Sequence, residues 1–279
     1  MLNPRPDLSG AGVFIGWAMN LDTLPRAVAL QFDRGEIVYA AGRPPIMVEY
    51  GYSGSGLRVS GKSVDFLDDV VFRRAYERGW SRLGKSARDH GDARWIVHVA
   101  LWLAAQAARL DGDFVECGVN TGLLSLAICD ALDFNALDKD FWLFDTYAGI
   151  PETQMTEAEL RGIGGWHNAH SYEECYEAVR ESFAPWPRAR LVRGMVPATL
   201  AEFPVDRRVA YLSIDMNIVV PEIAAANFFW DRMSPGGFIL LDDYAWATHR
   251  AQKAAFDDFA AVRGRTILTL PTGQGLLQR

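Results

Sequence analysis

Residues 112–128, GDFVECGVNTGLLSLAI, constrain the fold more than any other stretch of the chain. The apolar pair Phe114 and Val115 runs into Glu116, the chain turns through Gly118 and Gly122, and Leu123, Leu124, Leu126, Ala127 and Ile128 follow at helical spacing. That order predicts strand, turn and helix. Glycines at 118 and 122 permit backbone angles barred to other residues and let a nucleotide-like ligand approach the main chain closely. Thr121 is the expected N-cap of a helix whose unpaired N–H groups face that ligand. Two glycines four apart also occur in tight turns that bind nothing, so on this stretch alone both readings stand.

The next apolar run, FWLFDTYAGIP at 141–151, also ends in an acid, Asp145. One helix and one loop fit between Glu116 and Asp145, which makes a βαβ unit. An acid closing the second strand of such a unit hydrogen-bonds ribose hydroxyls; the other reading of Asp145 is a helix cap or loop carboxylate. Further runs continue the alternation: RARLVRGMV as a third strand, VAYLSID at 209–215 as a fourth, the helix PEIAAANFFWDRM, a turn at SPGG, GFILLDD as a fifth strand, the helix THRAQKAAFDDFAAV, and a closing hairpin from RTILTLP and GLLQR joined by TGQG. We expect an α/β fold of Rossmann-like type, mostly parallel with an antiparallel last strand.

Upstream, the spacing predicts helices over 63–83, with Ser63 as a possible cap, and over 93–110, joined by a charged loop, GKSARDHGD. His98 in the second of them reads as a packed core histidine. Residues 1–62 have a different texture: AGVFIGWAMN, RAVALQF, EIVYAAG and IMVEYGYSGSGLRV are short β-prone runs broken by Gly and Pro, a small β-rich extension ahead of a domain at 63–279. After Asp145 the segment PETQMTEAELRGIGGWHNAHS reads as a long loop carrying His167 and His170, and SYEECYEAVRESF at 171–183 as a helix.

Composition narrows the partners. A chain of 279 residues with 49% hydrophobic residues and a net charge of −7 is globular and is no polyanion binder, so a small-molecule acceptor is expected and no nucleic acid. Three cysteines without CxxC spacing indicate neither a disulfide framework nor a zinc cluster. No apolar run approaches a membrane span, and MLNPRPDLSG lacks a basic region followed by an apolar core, so no membrane and a cytoplasmic setting are expected.

The chemistry concentrates where strands end in acids: Glu116, Asp145, Asp215 and the pair Asp242 and Asp243. Ligands of open α/β sheets bind outside the carboxyl ends of the strands. Adjacent carboxylates repel unless a cation or donors balance them, and Mg²⁺ takes a few oxygens plus water. Asp215, Asp242 and Asp243, or the amide oxygen of Asn217, supply such oxygens; the alternative is that one aspartate caps a helix while the other is solvated.

FVECGV, LFDTYAGIP, VRGM, SID, SPGGFILLDDY and AFDDF, in this order, resemble the macrocin O-methyltransferase (TylF/MycF) family of class I S-adenosylmethionine-dependent sugar methyltransferases, over roughly residues 93–279. The resemblance implies S-adenosyl-L-methionine as cofactor, with Glu116, Gly118, Asn120, Thr121 and Gly122 along its methionine part, Asp145 at the ribose, and Tyr147, Gly194 and Met195 bordering the adenine. It puts Asp215, Asp242 and Asp243 on magnesium positions and implies in-line methyl transfer to a sugar hydroxyl. A homo-oligomer is expected.

The chain departs from the family pattern in two runs: Asn120, Thr121, Gly122, Leu123 stand where Trp-Arg-Gly-Gly is common, and Asp215, Met216, Asn217, Ile218, Val219 where Asp-Gly-Asp-Leu-Tyr is common. Ala245 and Trp246 replace a family-type base, leaving His249, or His167 or His170, as substitute candidates. Competing readings are a metal-independent methyltransferase and a non-catalytic binding or assembly subunit. A nicotinamide-dependent dehydrogenase fits less well, because GVNTG is not the full GxGxxG run.

Overall fold

The structure is a computed structural model and describes residues 28–32, 35–39, 46–84 and 91–279; the run AGVFIGWAMN and most of the charged loop GKSARDHGD lie outside the described residues. The chain divides into two units, Met1–Val64 and Asp65–Arg279.

In the first unit, β1 (Val28–Phe32), β2 (Gly35–Tyr39), β3 (Ile46–Gly54) and β4 (Leu57–Ser60) form an antiparallel sheet in chain order. The β3–β4 connection is a two-residue turn, since Gly54 pairs with Leu57. Ser55 and Gly56 both have positive φ, 45° and 74°. Positive φ at both central residues matches the right-handed twist of the strands it joins.

The second unit begins with a short 3-10 turn, Asp65–Asp68, and then α1 (Val70–Trp80). The expected helix over 63–83 therefore starts later than the periodicity suggests. Asp69, not Ser63, is its cap, accepting the Phe72 N–H at 2.7 Å. The second helix, α2 (Arg94–Ala107), buries Ile96, Val97, Ala100, Leu103, Ala104 and Ala107 along one stripe. His98 stacks on Phe66 at 3.9 Å, and burial lowers its pKa, in keeping with a packed rather than a catalytic histidine.

Then β5 (Asp113–Cys117), α3 (Leu123–Ala131) and β6 (Phe141–Asp145) make the first βαβ unit. The segment read as a long loop folds instead into a 3-10 turn and two short helices, α4 (Glu157–Arg161) and α5 (Ile163–His170). Its start carries a capping box, Thr156 and Glu159 bonding reciprocally, which the glycines nearby obscured. Next come α6 (Tyr176–Phe183), shorter than the expected 171–183, then β7 (Ala189–Arg193), β8 (Val209–Ile214) and α7 (Val219–Trp230). The last elements are β9 (Met233–Leu241), α8 (Arg250–Ala261), β10 (Leu268–Thr269) and β11 (Gly275–Gln278). The SPGG turn is absorbed into β9. It forms an irregularity there, because Val209 pairs with Met233 but Tyr211 already pairs with Phe238.

Among the described residues of this unit, seven strands run in the order β10-β11-β9-β8-β5-β6-β7. Neighbours from β9 to β7 are parallel, and β11 is antiparallel to both β9 and β10. Successive side chains of β5 serve opposite faces. Phe114 joins a core with α1, α2 and α3, where its ring meets those of Phe141 and Tyr211 at 5.7 and 5.3 Å. Val115 joins the other core, with α7 and α8. A sheet covered on both faces leaves ligands its strand ends, and the register decides which residues stand there.

Candidate functional site at the carboxyl edge of the sheet

Cys117 pairs with both Phe144 and Ile214, and Ile214 with Leu241. One residue further along each strand stand Gly118, Asp145, Asp215 and Asp242. The register thus brings Asp145, Asp215 and Asp242 to one level of one edge, with Glu116 two residues inside it on β5.

Gly118 starts the turn at φ 92°, where a Cβ would fall 1.8 Å from the Asp215 carbonyl oxygen. No other residue fits there. Asn120 and Gly122 also take positive φ, 49° and 93°. Gly122, not Thr121, occupies the N-cap of α3, and no side chain caps that helix. The Thr121 hydroxyl is buried without a partner, as is Oε2 of Glu116, itself 3% exposed. Burial pushes the Glu116 carboxyl up to about 8; the Ser125 hydroxyl opposes the rise, and the charges of Asp145 and Asp242 add to it. Unsatisfied buried polar atoms beside an uncapped helix start are what a polar ligand would satisfy, so these residues fit the methionine end of the expected cofactor.

Asp145 is tied to the glycine turn. Its Oδ2 accepts the Val119 and Asn120 N–H groups at 2.6 and 2.7 Å, and its Oδ1 accepts the Tyr147 N–H at 2.6 Å, while the Thr146 hydroxyl, 3.3 Å from Oδ1, gives its hydrogen to the nearer Gly149 O. A carboxylate has about four lone-pair positions; three main-chain N–H groups take three of them and one stays open on Oδ1. In this structure Asp145 clasps the glycine turn and keeps one acceptor position on Oδ1. Tyr147 corrects the expectation. At φ 54° its ring turns into the core, 1% exposed, with its hydroxyl donating to Leu143 O at 2.9 Å, so it offers no surface to an adenine. Gly194 does lie at the edge, its N–H bonded to Asp145 O at 2.8 Å, and Met195 beside it is 47% exposed.

The three aspartates converge: Asp215, Asp242 and Asp243 each offer a carboxylate oxygen, all within 4.8 Å of one another. Burial and the charges of its neighbours push Asp215 well above the usual carboxylate range, and Asp243 rises to about 8 through burial and Asp242. Asp243 Oδ2 is buried with no hydrogen-bond partner. Carboxylate oxygens crowded this closely, one of them unsatisfied, are a fitting donor set for a hard divalent cation. Asn217 is not part of it. Its amide nitrogen donates to Asp215 Oδ1 at 3.2 Å and to the Tyr172 hydroxyl at 3.1 Å, so the face it turns to the carboxylate is a donor, and the expected ligand oxygen points elsewhere.

The three histidines separate. His249 is 4% exposed, with Nδ1 2.9 Å from the Thr248 hydroxyl and Nε2 facing Asp243 Oδ2 at 3.5 Å. Burial, then His167, lowers its pKa to about 4, which makes it a neutral ring wedged behind Asp243 and a poor base. His170 is exposed, stacked on Trp166, and directs Nδ1 at its own helix's Trp166 carbonyl; it is not turned to the acids. His167 stacks at 5.2 Å on Tyr172, whose hydroxyl accepts from the Asn217 amide, which in turn bonds Asp215.

Sequence reasoning missed Tyr172, which gave no signal at the start of an expected helix, and Gln274, hidden in what read as a plain hairpin turn. Gln274 Nε2 donates to Asp242 Oδ1 at 2.9 Å. Glu222 was also missed; it is 2% exposed and accepts the Met216 N–H at 3.1 Å beside the cluster.

Residues 73–268 match the macrocin-O-methyltransferase (TylF) family. The chain belongs to that family. Among characterised relatives, the chain is 27% identical over 148 residues to the 8-demethyl-8-(2,3-dimethoxy-alpha-L-rhamnosyl)-tetracenomycin-C 4'-O-methyltransferase of Streptomyces olivaceus, covering 50% of this chain and 55% of the relative. It is 26% identical over 150 residues to the mycinamicin III 3''-O-methyltransferase of Micromonospora griseorubida, covering 48% and 55%. In both cases the match spans little more than half of the relative's length. Of solved structures, the O-methyltransferase NovP superposes with a TM-score of 0.60 at 20% identity, over 77% of this chain and 97% of that one. The calicheamicin methyltransferase CalS11 gives 0.56 at 16%, over 78% and 93%. These likenesses establish the Rossmann-like class I methyltransferase fold of this TylF-family chain. No helix among the described residues is long and apolar enough to cross a membrane.

Proposed function

We propose that this chain is an S-adenosylmethionine-dependent O-methyltransferase acting on a hydroxyl of a sugar-bearing small molecule, with a divalent cation, Mg²⁺, held by Asp215, Asp242 and Asp243. The observation that carries the reading is the meeting, at one sheet edge, of a clasped glycine turn with unsatisfied buried polar atoms and three aspartate oxygens within 4.8 Å. Support for the sugar comes from the TylF-family relatives, whose names specify methylation of sugar positions.

In this reading Glu116 and Thr121 receive the polar end of the cofactor's methionine, and Gly194 and Met195 lie along its base. The Asp145 clasp holds the turn in the ligand-ready shape, so little reorganisation is left for binding. The cation, when bound, lowers the pKa of the acceptor hydroxyl and helps orient it. Asn217 and Tyr172 fix Asp215, Gln274 fixes Asp242, and His167 is the histidine we assign to take the hydroxyl proton. Trp166, 41% exposed beside it, offers a ring face to a sugar or a flat aglycone.

The test is transfer of an isotopically labelled methyl group from S-adenosylmethionine to a panel of rhamnose-bearing and other glycosylated acceptors, with Mg²⁺ and with chelator. Product that gains one methyl group on a sugar and needs the metal is the expected result. Transfer that survives chelation and Asp243→Asn refutes the cation, and failure with every acceptor while the cofactor binds refutes catalysis.

A further inference from the structure

The closing hairpin turn, Thr272-Gly273-Gln274-Gly275, lies beyond the segment matched to the TylF family, which ends at residue 268, yet it reaches into the acid cluster. Gln274 is fully buried. Its Nε2 donates to Asp242 Oδ1 at 2.9 Å, and its Oε1 accepts the Thr272 hydroxyl at 2.8 Å. The Thr272 oxygen in turn lies 3.5 Å from the Gln274 N–H, which leaves its hydrogen for Oε1. The amide is therefore held one way round: a flip would set its oxygen against the Asp242 carboxylate and give up the bond that Oε1 accepts from Thr272.

The backbone beneath it is locked as well. At Gly273, φ 92°, a Cβ would fall 2.5 Å from the Trp246 indole nitrogen, and at Gly275 one would fall 2.6 Å from the Tyr244 ring. The Ala245 N–H bonds Gly273 O at 2.7 Å, and Gly275 pairs with Leu241. The turn is thus pressed onto the segment that carries Asp242 and Asp243. Gln274 is thus a fully buried neutral amide that holds one oxygen of Asp242 and is itself held by Thr272.

We infer that Gln274, braced by Thr272, is a positioning residue for the divalent-cation site. It acts through Asp242 without touching cation or substrate. The inference rests on the proposed cation reading. Removing a hydrogen-bond partner of a metal-ligating carboxylate lowers metal affinity by about 10- to 100-fold. The test is Mn²⁺ binding, followed by the electron paramagnetic resonance of the free ion, in wild type, Gln274→Met and Thr272→Val, with S-adenosylhomocysteine binding measured alongside. Methionine keeps the length and bulk of Gln274 and removes only the amide; valine leaves the turn and removes the bond that braces Oε1.

The expected result is Mn²⁺ affinity lowered by about 10-fold or more in Gln274→Met and by a smaller factor in Thr272→Val, with S-adenosylhomocysteine affinity within about 2-fold of wild type. Unchanged Mn²⁺ affinity in either folded variant overturns the inference alone. Equal losses for Mn²⁺ and S-adenosylhomocysteine overturn it too, since they mean a merely structural role. Wild type that binds no Mn²⁺ overturns the cation reading and this inference together.

Discussion

Glu116 offers the sharpest electrostatic test, because its carboxyl is 3% exposed and burial raises its pKa from the ordinary 4.5 to about 8. That rise spans roughly 3.5 units, and at about 1.36 kcal/mol per unit full ionisation of Glu116 in the folded chain costs on the order of 5 kcal/mol. The native state holds this proton more tightly than the unfolded chain does. Stability is therefore greatest below the unfolded pKa and falls as pH rises from 4.5 through about 8. Glu116→Gln removes the titration and keeps the shape. Urea unfolding of both proteins from about pH 5 to pH 8 should show the wild type losing roughly 4 kcal/mol relative to the variant, with every titration common to the two cancelling. Parallel curves refute the reasoning. A related outcome belongs to the proposed function. If the ammonium of the cofactor's methionine lies against Glu116, S-adenosylhomocysteine binding near pH 7 releases a proton, and its heat differs between buffers of different ionisation enthalpy; the variant loses that difference.

Gly118→Ala places a Cβ against the Asp215 carbonyl at a φ of 92°, and should destabilise the chain by about 3 kcal/mol or more in thermal unfolding. Asp145→Ala strips the acceptor from three main-chain N–H groups at about 1–3 kcal/mol each, and should weaken S-adenosylhomocysteine binding by at least about 10-fold by calorimetry; intact binding would mean that the turn holds itself. Phe114→Ala, in a fully buried aromatic cluster, should lower unfolding stability by about 3–5 kcal/mol in denaturant titration. His167→Ala should lower kcat far more than His170→Ala, since only His167 stacks on the residue that reaches the acid cluster, and equal effects would remove His167 from the proton's path.

Periodicity and punctuation made the sheet legible. The alternation of apolar runs with helical spacing after residue 112, and acids at the ends of the runs, anticipated both the parallel strands and the edge that gathers Glu116, Asp145, Asp215 and Asp242. What sequence could not supply was direction. Thr121 looked like a cap, but Gly122 already bends the chain into the helix, and the hydroxyl is left buried and unsatisfied. Tyr147 looked like a neighbour of the ligand, but its positive φ sends the ring into the core. Asn217 was credited with an oxygen ligand, whereas its amide nitrogen is the atom that bonds Asp215 Oδ1 and the Tyr172 hydroxyl. Gln274 lies thirty-two positions from Asp242, and only the antiparallel return of β11 along β9 brings them together. Local pattern carries the strand ends; hydrogen-bond partners across the edge are set by tertiary register, which a single chain does not spell out.

Titration calorimetry of the purified chain with S-adenosylhomocysteine, against a nicotinamide dinucleotide control, tests the central claim most directly. The account predicts a single site of about micromolar affinity for the nucleoside thioether and none for the dinucleotide, since the turn lacks the full dinucleotide fingerprint. No heat from the thioether, or binding of the dinucleotide in its place, would contradict it.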